Sequence, residues 1–167
     1  GPQDLVGIWG NSPTAHRGRA MAARQDSGLL RVEDAFVRSL HPGRAGEPPM
    51  GLLLDRRAMH FDSSQPSDLE ELLASSPLDD TVLLSRARDA ITRLRAHHLS
   101  KYNAFDPAAA VPDPGYVLVI DQTRGDASVT ASGGDRARFR EMLYYAREEN
   151  PGARILIKTH PETAQGF

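Results

Sequence analysis

An α/β chain built on parallel strands is what this sequence predicts, and three stretches carry the prediction. Tyr116–Ile120 is a run of five apolar residues that stops abruptly at Asp121-Gln122-Thr123-Arg124-Gly125-Asp126. That is the pattern of a strand buried on both faces, as in a parallel sheet. Ala153–Thr159 is a second apolar strand, and its end carries Lys158-Thr159-His160-Pro161-Glu162. Between the two, from about Asp135 to Asn150, Phe139, Met142, Leu143 and Ala146 repeat at helical spacing. Val117–Asp121 and Arg154–Lys158 are therefore expected as adjacent parallel strands joined by that helix, with both polar clusters delivered to one edge of one sheet, where ligands gather in open α/β sheets.

The other elements follow in order. Leu5–Gly10 reads as a short apolar strand closing in a glycine, and residues 14–25 as a basic helix weakened by Gly18. Leu29–Val32 is a second strand running into Glu33-Asp34. Residues 41–49, with two glycines and three prolines, form a loop. Gly51–Leu54 and Ala58–Phe61 flank Asp55-Arg56-Arg57 as a small hairpin. Ser67-Asp68-Leu69-Glu70 fits a capping box. Ser76-Pro77, with Asp79 and Asp80 in the first turn, opens a long helix through about Leu99. Leu83, Ala87, Ile91, Leu94 and His98 mark one face of it, and Arg86, Arg88, Asp89, Arg93 and Arg95 its solvated side. The Pro- and Ala-rich residues 102–115 are a linker, which divides the chain into an α/β domain at 1–101 and a second one beginning at 116 and running to 167. A two-strand α/β unit cannot cover its own apolar faces, so the second domain is expected to be truncated and to expose apolar surface.

Composition narrows the function classes. A chain of 167 residues suits one ordinary domain or two small ones. The net charge of −2 gives no electrostatic case for a nucleic-acid binder. There is no cysteine, which excludes disulfide and thiol chemistry and is compatible with a cytoplasmic location. No apolar run approaches the roughly 18 to 20 residues of a membrane helix.

Three clusters bear chemistry. Glu33-Asp34, with Arg38 and Ser39 behind, follows a strand; adjacent carboxylates on extended backbone diverge, so one at most faces a pocket. In the second cluster, Gln122 to Ser128, Asp126 follows a glycine in a loop, where a carboxylate can be presented as nucleophile or base. In the third, Pro161 fixes the backbone next to His160, and imidazole with the Lys158 ammonium suits a phosphate. Each has a structural alternative: a cap or ion pair for the acids, a solvated loop, a packed histidine. No metal site is expected, since no H-x-x-x-H, H-E-x-x-H or D-x-D pattern occurs; no Walker loop or G-x-G-x-x-G occurs either. The Gly133-Gly134 pair before a helix is a weak phosphate signal.

Together these residues resemble the KpsC family of capsular polysaccharide biosynthesis proteins, bacterial retaining β-Kdo glycosyltransferases. The matching stretches are Trp9-Gly10, Arg31–Ser39, Met50–Asp55, His60-Phe61-Asp62, Pro66–Leu73, Asp121–Ser128 and Lys158–Glu162. The chain departs from the family pattern at Ala35, usually glycine, and at Met59-His60-Phe61-Asp62, commonly Ile-Tyr-Tyr-Asp. The resemblance implies a Rossmann-like, GT-B-type glycosyltransferase with an acceptor-side first domain and the opening of a CMP-Kdo-binding second one, the second half truncated. It implies Asp126 as nucleophile of a double displacement and Glu33 as acid/base. It implies His160, Pro161 and Lys158 at the donor phosphate, Gln122 and Arg124 at the Kdo carboxylate, and Arg38 and Ser39 among the substrate-binding residues. CMP-Kdo would be the donor, a phosphatidylglycerol-Kdo-type lipid-linked glycan the acceptor, and no metal or other cofactor would be needed. Location would be cytoplasmic, peripheral to the inner membrane face or to the capsule export machinery. A non-catalytic nucleotide- or phosphate-binding α/β module, or an inactive fragment, remains the alternative.

Overall fold

The computed structural model describes residues 3–164, so the last three positions of the expected second domain, 165–167, lie outside the described residues. The elements are β1 (Leu5–Trp9), α1 (Ala15–Gln25), β2 (Gly28–Asp34), a 3₁₀ turn (Gly43–Ala45), β3 (Leu52–Asp55), α2 (Asp68–Ser75), α3 (Thr81–Ala96), β4 (Tyr116–Ile120), α4 (Ala127–Ala131), α5 (Arg136–Glu148), β5 (Arg154–Lys158) and α6 (Pro161–Ala164). They fall into two compact units, one comprising the chain up to His60 with Ser64–Ala109, the other Phe61–Ser63 with the chain from Ala110.

In the first unit β1 and β2 pair in parallel, with Trp9 opposite Val32, and β3 pairs antiparallel to β2, with Asp34 opposite Leu52. Helix α1 packs on β1 and β2, and Ala15 and Ala22 of the helix and Ile8 of β1 are buried. Gly18, unfavourable to the helix by propensity, has a packing reason: a Cβ there would collide with the Ile8 side chain. The glycine lets helix and strand approach closely.

β2 continues two residues beyond the expected Val32, because its ladder to β3 takes in Glu33 and Asp34. The hairpin expected between Gly51–Leu54 and Ala58–Phe61 does not form. Instead β3 ends at Asp55, a residue only 3% exposed. Asp55 Oδ1 accepts the N–H groups of Arg57 (2.8 Å) and Ala58 (2.9 Å), and Oδ2 accepts that of Asp68 (2.8 Å). One carboxylate thereby bends the chain, buries Ala58 and Met59 and ties the strand end to the start of α2.

The capping box of α2 is as expected. Ser67, fully buried, receives the Glu70 N–H, and the Glu70 carboxylate accepts from the Ser67 N–H (2.7 Å) and hydroxyl (2.9 Å). These bonds hold the Glu70 carboxyl below its ordinary value, so their contribution is present above that ordinary value and fades as pH falls through the lowered one.

Helix α3 begins later than Pro77. Leu78 takes a positive φ of 51°, and Asp80 is the N-cap, its Oδ1 accepting from Val82 (3.0 Å) and Leu83 (2.9 Å). It also ends before Leu99: His98 turns left-handed (φ 54°), and the Leu99 N–H bonds to Leu94 O and the His98 N–H to Arg95 O, a Schellman stop. Its arginines are exposed, and so in large part are Leu83 and Ile91.

Residues 102–115 contain no helix or strand. Their start is fastened within the first unit: Asn103 N–H and Nδ2 both reach Ser39 O, and Lys101 O accepts from Arg38 and Ser39.

In the second unit β4 and β5 are adjacent and parallel in the register Tyr116↔Arg154 to Ile120↔Lys158. Helix α5, capped by Asp135, lies on β4. Burial on both faces does not hold: Val119 is buried, whereas Leu118, Ile120 and Ile157 are 46%, 50% and 54% exposed. Leu118 and Ile120 share one face and Ile157, opposite Val119, lies on the other, so apolar surface is left uncovered on both faces, as expected of a two-strand unit. The Gly133-Gly134 pair stops α4: Gly134 N–H reaches Val129 O and Gly133 N–H reaches Thr130 O, with Gly133 at φ 72°. This gives the pair a backbone reason.

Asp55→Asn tests the staple. An amide has one acceptor oxygen, so at least one buried N–H loses its partner. The substitution should destabilise the protein by about 1–3 kcal/mol in chemical denaturation.

Candidate functional site

The carboxyl ends of β4 and β5 bring two of the three sequence clusters together. The ladder extends one step past the strands, through Asp121 N–H to Lys158 O (3.0 Å), and the chains then separate into their polar loops. Side chains keep alternating beyond Ile120: Val119 and Thr123 are buried and Asp121 half-buried, while Ile120, Gln122 and Arg124 are exposed. Thr123, 6% exposed, places Oγ1 2.8 Å from His160 Nδ1. The His160 backbone N–H approaches Asp121 Oδ2 at a long 3.4 Å, and His160 Nδ1 also receives the Glu162 N–H at 3.2 Å. Lys158 closes β5 as an exposed residue, and Pro161 is the first residue of α6.

The Thr123–Asp126 turn is closed by Asp126 N–H to Thr123 O (3.2 Å). Gly125 adopts φ 75° there, a conformation that costs other residues strain. Asp126 is the N-cap of α4: Oδ1 accepts from the Ser128 N–H (2.8 Å) and from its hydroxyl. The carboxylate is exposed and oriented, which serves a cap and a nucleophile alike.

The remaining candidates belong to the first unit, and there the two adjacent acids diverge. Glu33 Oε1 accepts the Asp34 N–H (3.1 Å). Its other oxygen lies against Gly10, where a Cβ would collide with it. Gly10 itself has φ 42° and bonds through its N–H to Val32 O (2.8 Å), just past the parallel ladder at the ends of β1 and β2.

Asp34 turns instead to Arg38, whose Nε lies 2.8 Å from Oδ2 in a close but poorly aligned ion pair. Asp34 Oδ1 is buried without a hydrogen-bond partner among the described residues. Arg38 Nη1 donates to Ser39 Oγ (2.8 Å) and Glu47 O (3.0 Å), and Ser39 donates to His41 O (2.6 Å). Arg38 and Ser39 are buried and engaged in holding loop 39–47.

None of the candidate residues lines the open groove formed by Phe36, Ile91, Leu94, Arg95, Leu99 and Phe105. Among the described residues no grouping of three or more His, Asp or Glu is placed to hold a metal, and no helix is long and apolar enough to cross a membrane. The sequence placed Thr123 within the Gln122–Ser128 cluster and Gly10 at the end of a strand, but assigned neither a role. Thr123's signal is parity, two and four positions beyond Asp121 and Val119; Gly10's is its place at a strand end.

The fold and strand-end clusters define an α/β chain with parallel strands that carries its polar residues at carboxyl edges. The chain belongs to the family described as capsule polysaccharide biosynthesis protein, which it matches over residues 3–113 and 110–167. It is 38% identical over 164 residues to the capsule polysaccharide modification protein LipA of Neisseria meningitidis serogroup B, covering 95% of this chain and 23% of LipA. It is 32% identical over 170 residues to the lipopolysaccharide-processing protein LpsZ of Rhizobium meliloti, covering 99% of this chain and 38% of LpsZ.

Two solved structures, both of KpsC from Thermosulfurimonas dismutans, resemble it. The beta Kdo 2,4 transferase matches with a TM-score of 0.85 and 37% identity over 96% of this chain and 50% of its own. The beta Kdo 2,7 transferase matches with a TM-score of 0.67 and 26% identity over 97% and 48%. The chain thus spans about a quarter of LipA and half of each transferase structure.

Gly10→Ala tests the seat of Glu33. The new methyl both strains a positive φ and displaces the carboxylate, so a loss of about 1–3 kcal/mol is expected in denaturant titration. Gly7→Ala, within β1 and with open space at its Cβ, should cost far less.

Proposed function

We propose that this chain carries the catalytic strand ends of a transferase that moves Kdo from CMP-Kdo, with retention, onto a lipid-linked capsular glycan primer of the phosphatidylglycerol-Kdo type. The observation that carries the reading is the 2.8 Å contact of Thr123 with His160, which joins the Gln-Thr-Arg-Gly-Asp turn to the Lys-Thr-His-Pro strand end. One loop offers a carboxylate and the other offers phosphate-binding groups, as substitution at a sugar–phosphate bond requires.

In this mechanism the Asp126 carboxylate attacks the anomeric carbon. The anomeric C–O bond to the phosphate breaks, and CMP departs with that electron pair while His160 and Lys158 stabilise its charge. Arg124 and Gln122 hold the Kdo carboxylate. The acceptor hydroxyl then attacks the anomeric carbon of the glycosyl ester, its proton passes to Glu33, and the anomeric C–O bond to Asp126 breaks, releasing the carboxylate; two inversions give retention. Arg38 and Ser39 act in substrate binding only indirectly, by shaping the loop that follows Glu33. A GT-B-type architecture with an acceptor-side domain at 1–101 and a donor-side domain from 116 belongs to this reading. So do a cytoplasmic, membrane-peripheral location beside capsule export and a reaction without metal, a monophosphate donor needing no cation to neutralise a diphosphate.

The cap that Asp126 makes on α4 favours a second reading, a binding module in which Asp126 only orders the loop. Asp126→Asn separates the two, because asparagine caps a helix as well as aspartate does yet cannot form the ester. On the transferase reading, full-length protein incubated with CMP-Kdo gains the mass of one Kdo. Asp126→Asn then gains none and loses transfer by about a thousand-fold or more. Transfer near the wild-type rate in Asp126→Asn, or an adduct on another residue, would sink the assignment.

A further inference from the structure

His160 sits among neighbours that decide where its ring proton resides. The Glu162 backbone N–H, in the first turn of α6, is 3.2 Å from Nδ1, and a backbone N–H can only donate. Nδ1 must therefore accept, and in the neutral ring the proton then lies on Nε2. The Thr123 hydroxyl, 2.8 Å from the same nitrogen, can donate or accept; with Nδ1 unprotonated it can only donate. The opposite tautomer would aim an Nδ1 proton at the Glu162 N–H, donor against donor. Thr123 is 6% exposed, so little water is at hand to replace His160 as partner of its hydroxyl. The hydroxyl also comes from the chain after β4 and the ring from the chain after β5, so the bond fixes the ring's orientation relative to the Gln122–Asp126 turn.

We propose that Thr123 is a positioning residue. Together with the Glu162 N–H it holds His160 as the Nε2–H tautomer, so that the ring presents a single N–H donor to an anionic oxygen of a nucleoside monophosphate. This rests on the reading above for the identity of the ligand, but the tautomer stands on the geometry alone. It gives a reason for threonine at position 123. The side chain shares the buried parity of Val119, and a shape-matched valine would fill the space while leaving Nδ1 without its closer donor.

Two measurements on the full-length protein test this. Long-range proton–nitrogen correlation of the neutral His160 ring should show the proton on Nε2, and Thr123→Val should move the Nδ1 resonance. A proton on Nδ1 in the wild type, or an Nδ1 resonance unmoved by the substitution, overturns the proposal. In the second measurement, calorimetry with CMP as probe, Thr123→Val should weaken binding about 5- to 10-fold. Thr123→Ser, which keeps the hydroxyl, should stay within about twofold of wild type. A packing role for Thr123 gives the reverse order, with valine harmless and serine costly, and that order also overturns the proposal. Should CMP bind neither wild type nor variants, the nucleotide reading fails while the ring correlation still decides the tautomer.

Discussion

The parallel pairing of β4 with β5 is the constraint on which the second unit's chemistry depends. Because Ile120 stands opposite Lys158, both strands end at the same edge, and their polar loops start within one residue of each other. Had the strands paired antiparallel, His160 would lie at the far edge from Thr123, and no adjustment of side chains could join them. A slip by one residue would shift the loops by about 3.3 Å and move Thr123 to the other face. The pairing depends in turn on α5, a connection long enough to return the chain to the same edge, and on the Gly133-Gly134 stop that frees α4 from running into it.

The first unit repeats the device with different contents. Parallel β1 and β2 end side by side, and just past their ladder lie Gly10 and Glu33. There the space for a carboxylate is made by the absence of a side chain. The antiparallel β3 serves the chain's next bend, since its terminal Asp55 gathers three backbone N–H groups and so converts the strand end into the start of α2. In both units a carboxylate bound to backbone N–H groups shapes the loop. Asp126 does this from an exposed position and Asp55 from a buried one, which is why the first can serve chemistry and the second architecture.

What the sequence made legible was local. The apolar runs of β4 and β5, the helical spacing of α5 and the Ser67–Glu70 box each lie within a few residues, and each forms as read. What it hid was set by partners far along the chain. Glu33 and Asp34 look like a polar loop until β3 pairs with them. The engagement of Arg38 and Ser39 with Asp34, Glu47, His41 and Lys101 was equally invisible. Ser76-Pro77 satisfied a helix-start pattern, but Asp80 offered a better acceptor to the first free N–H groups. Leu118, Ile120 and Ile157 read as core because an apolar run does not reveal how much of either face is covered. The role of Thr123 needed His160, 37 positions away, although its parity with Val119 was already visible.

The central claim is that the edge made by β4 and β5 binds the phosphate of a nucleotide sugar donor. Titrating isotope-labelled full-length protein with CMP and following its backbone amides tests this most directly. The account predicts saturable shifts concentrated at residues 121–126 and 158–162. Shifts confined to residues of the first unit, or none at millimolar CMP, would contradict it.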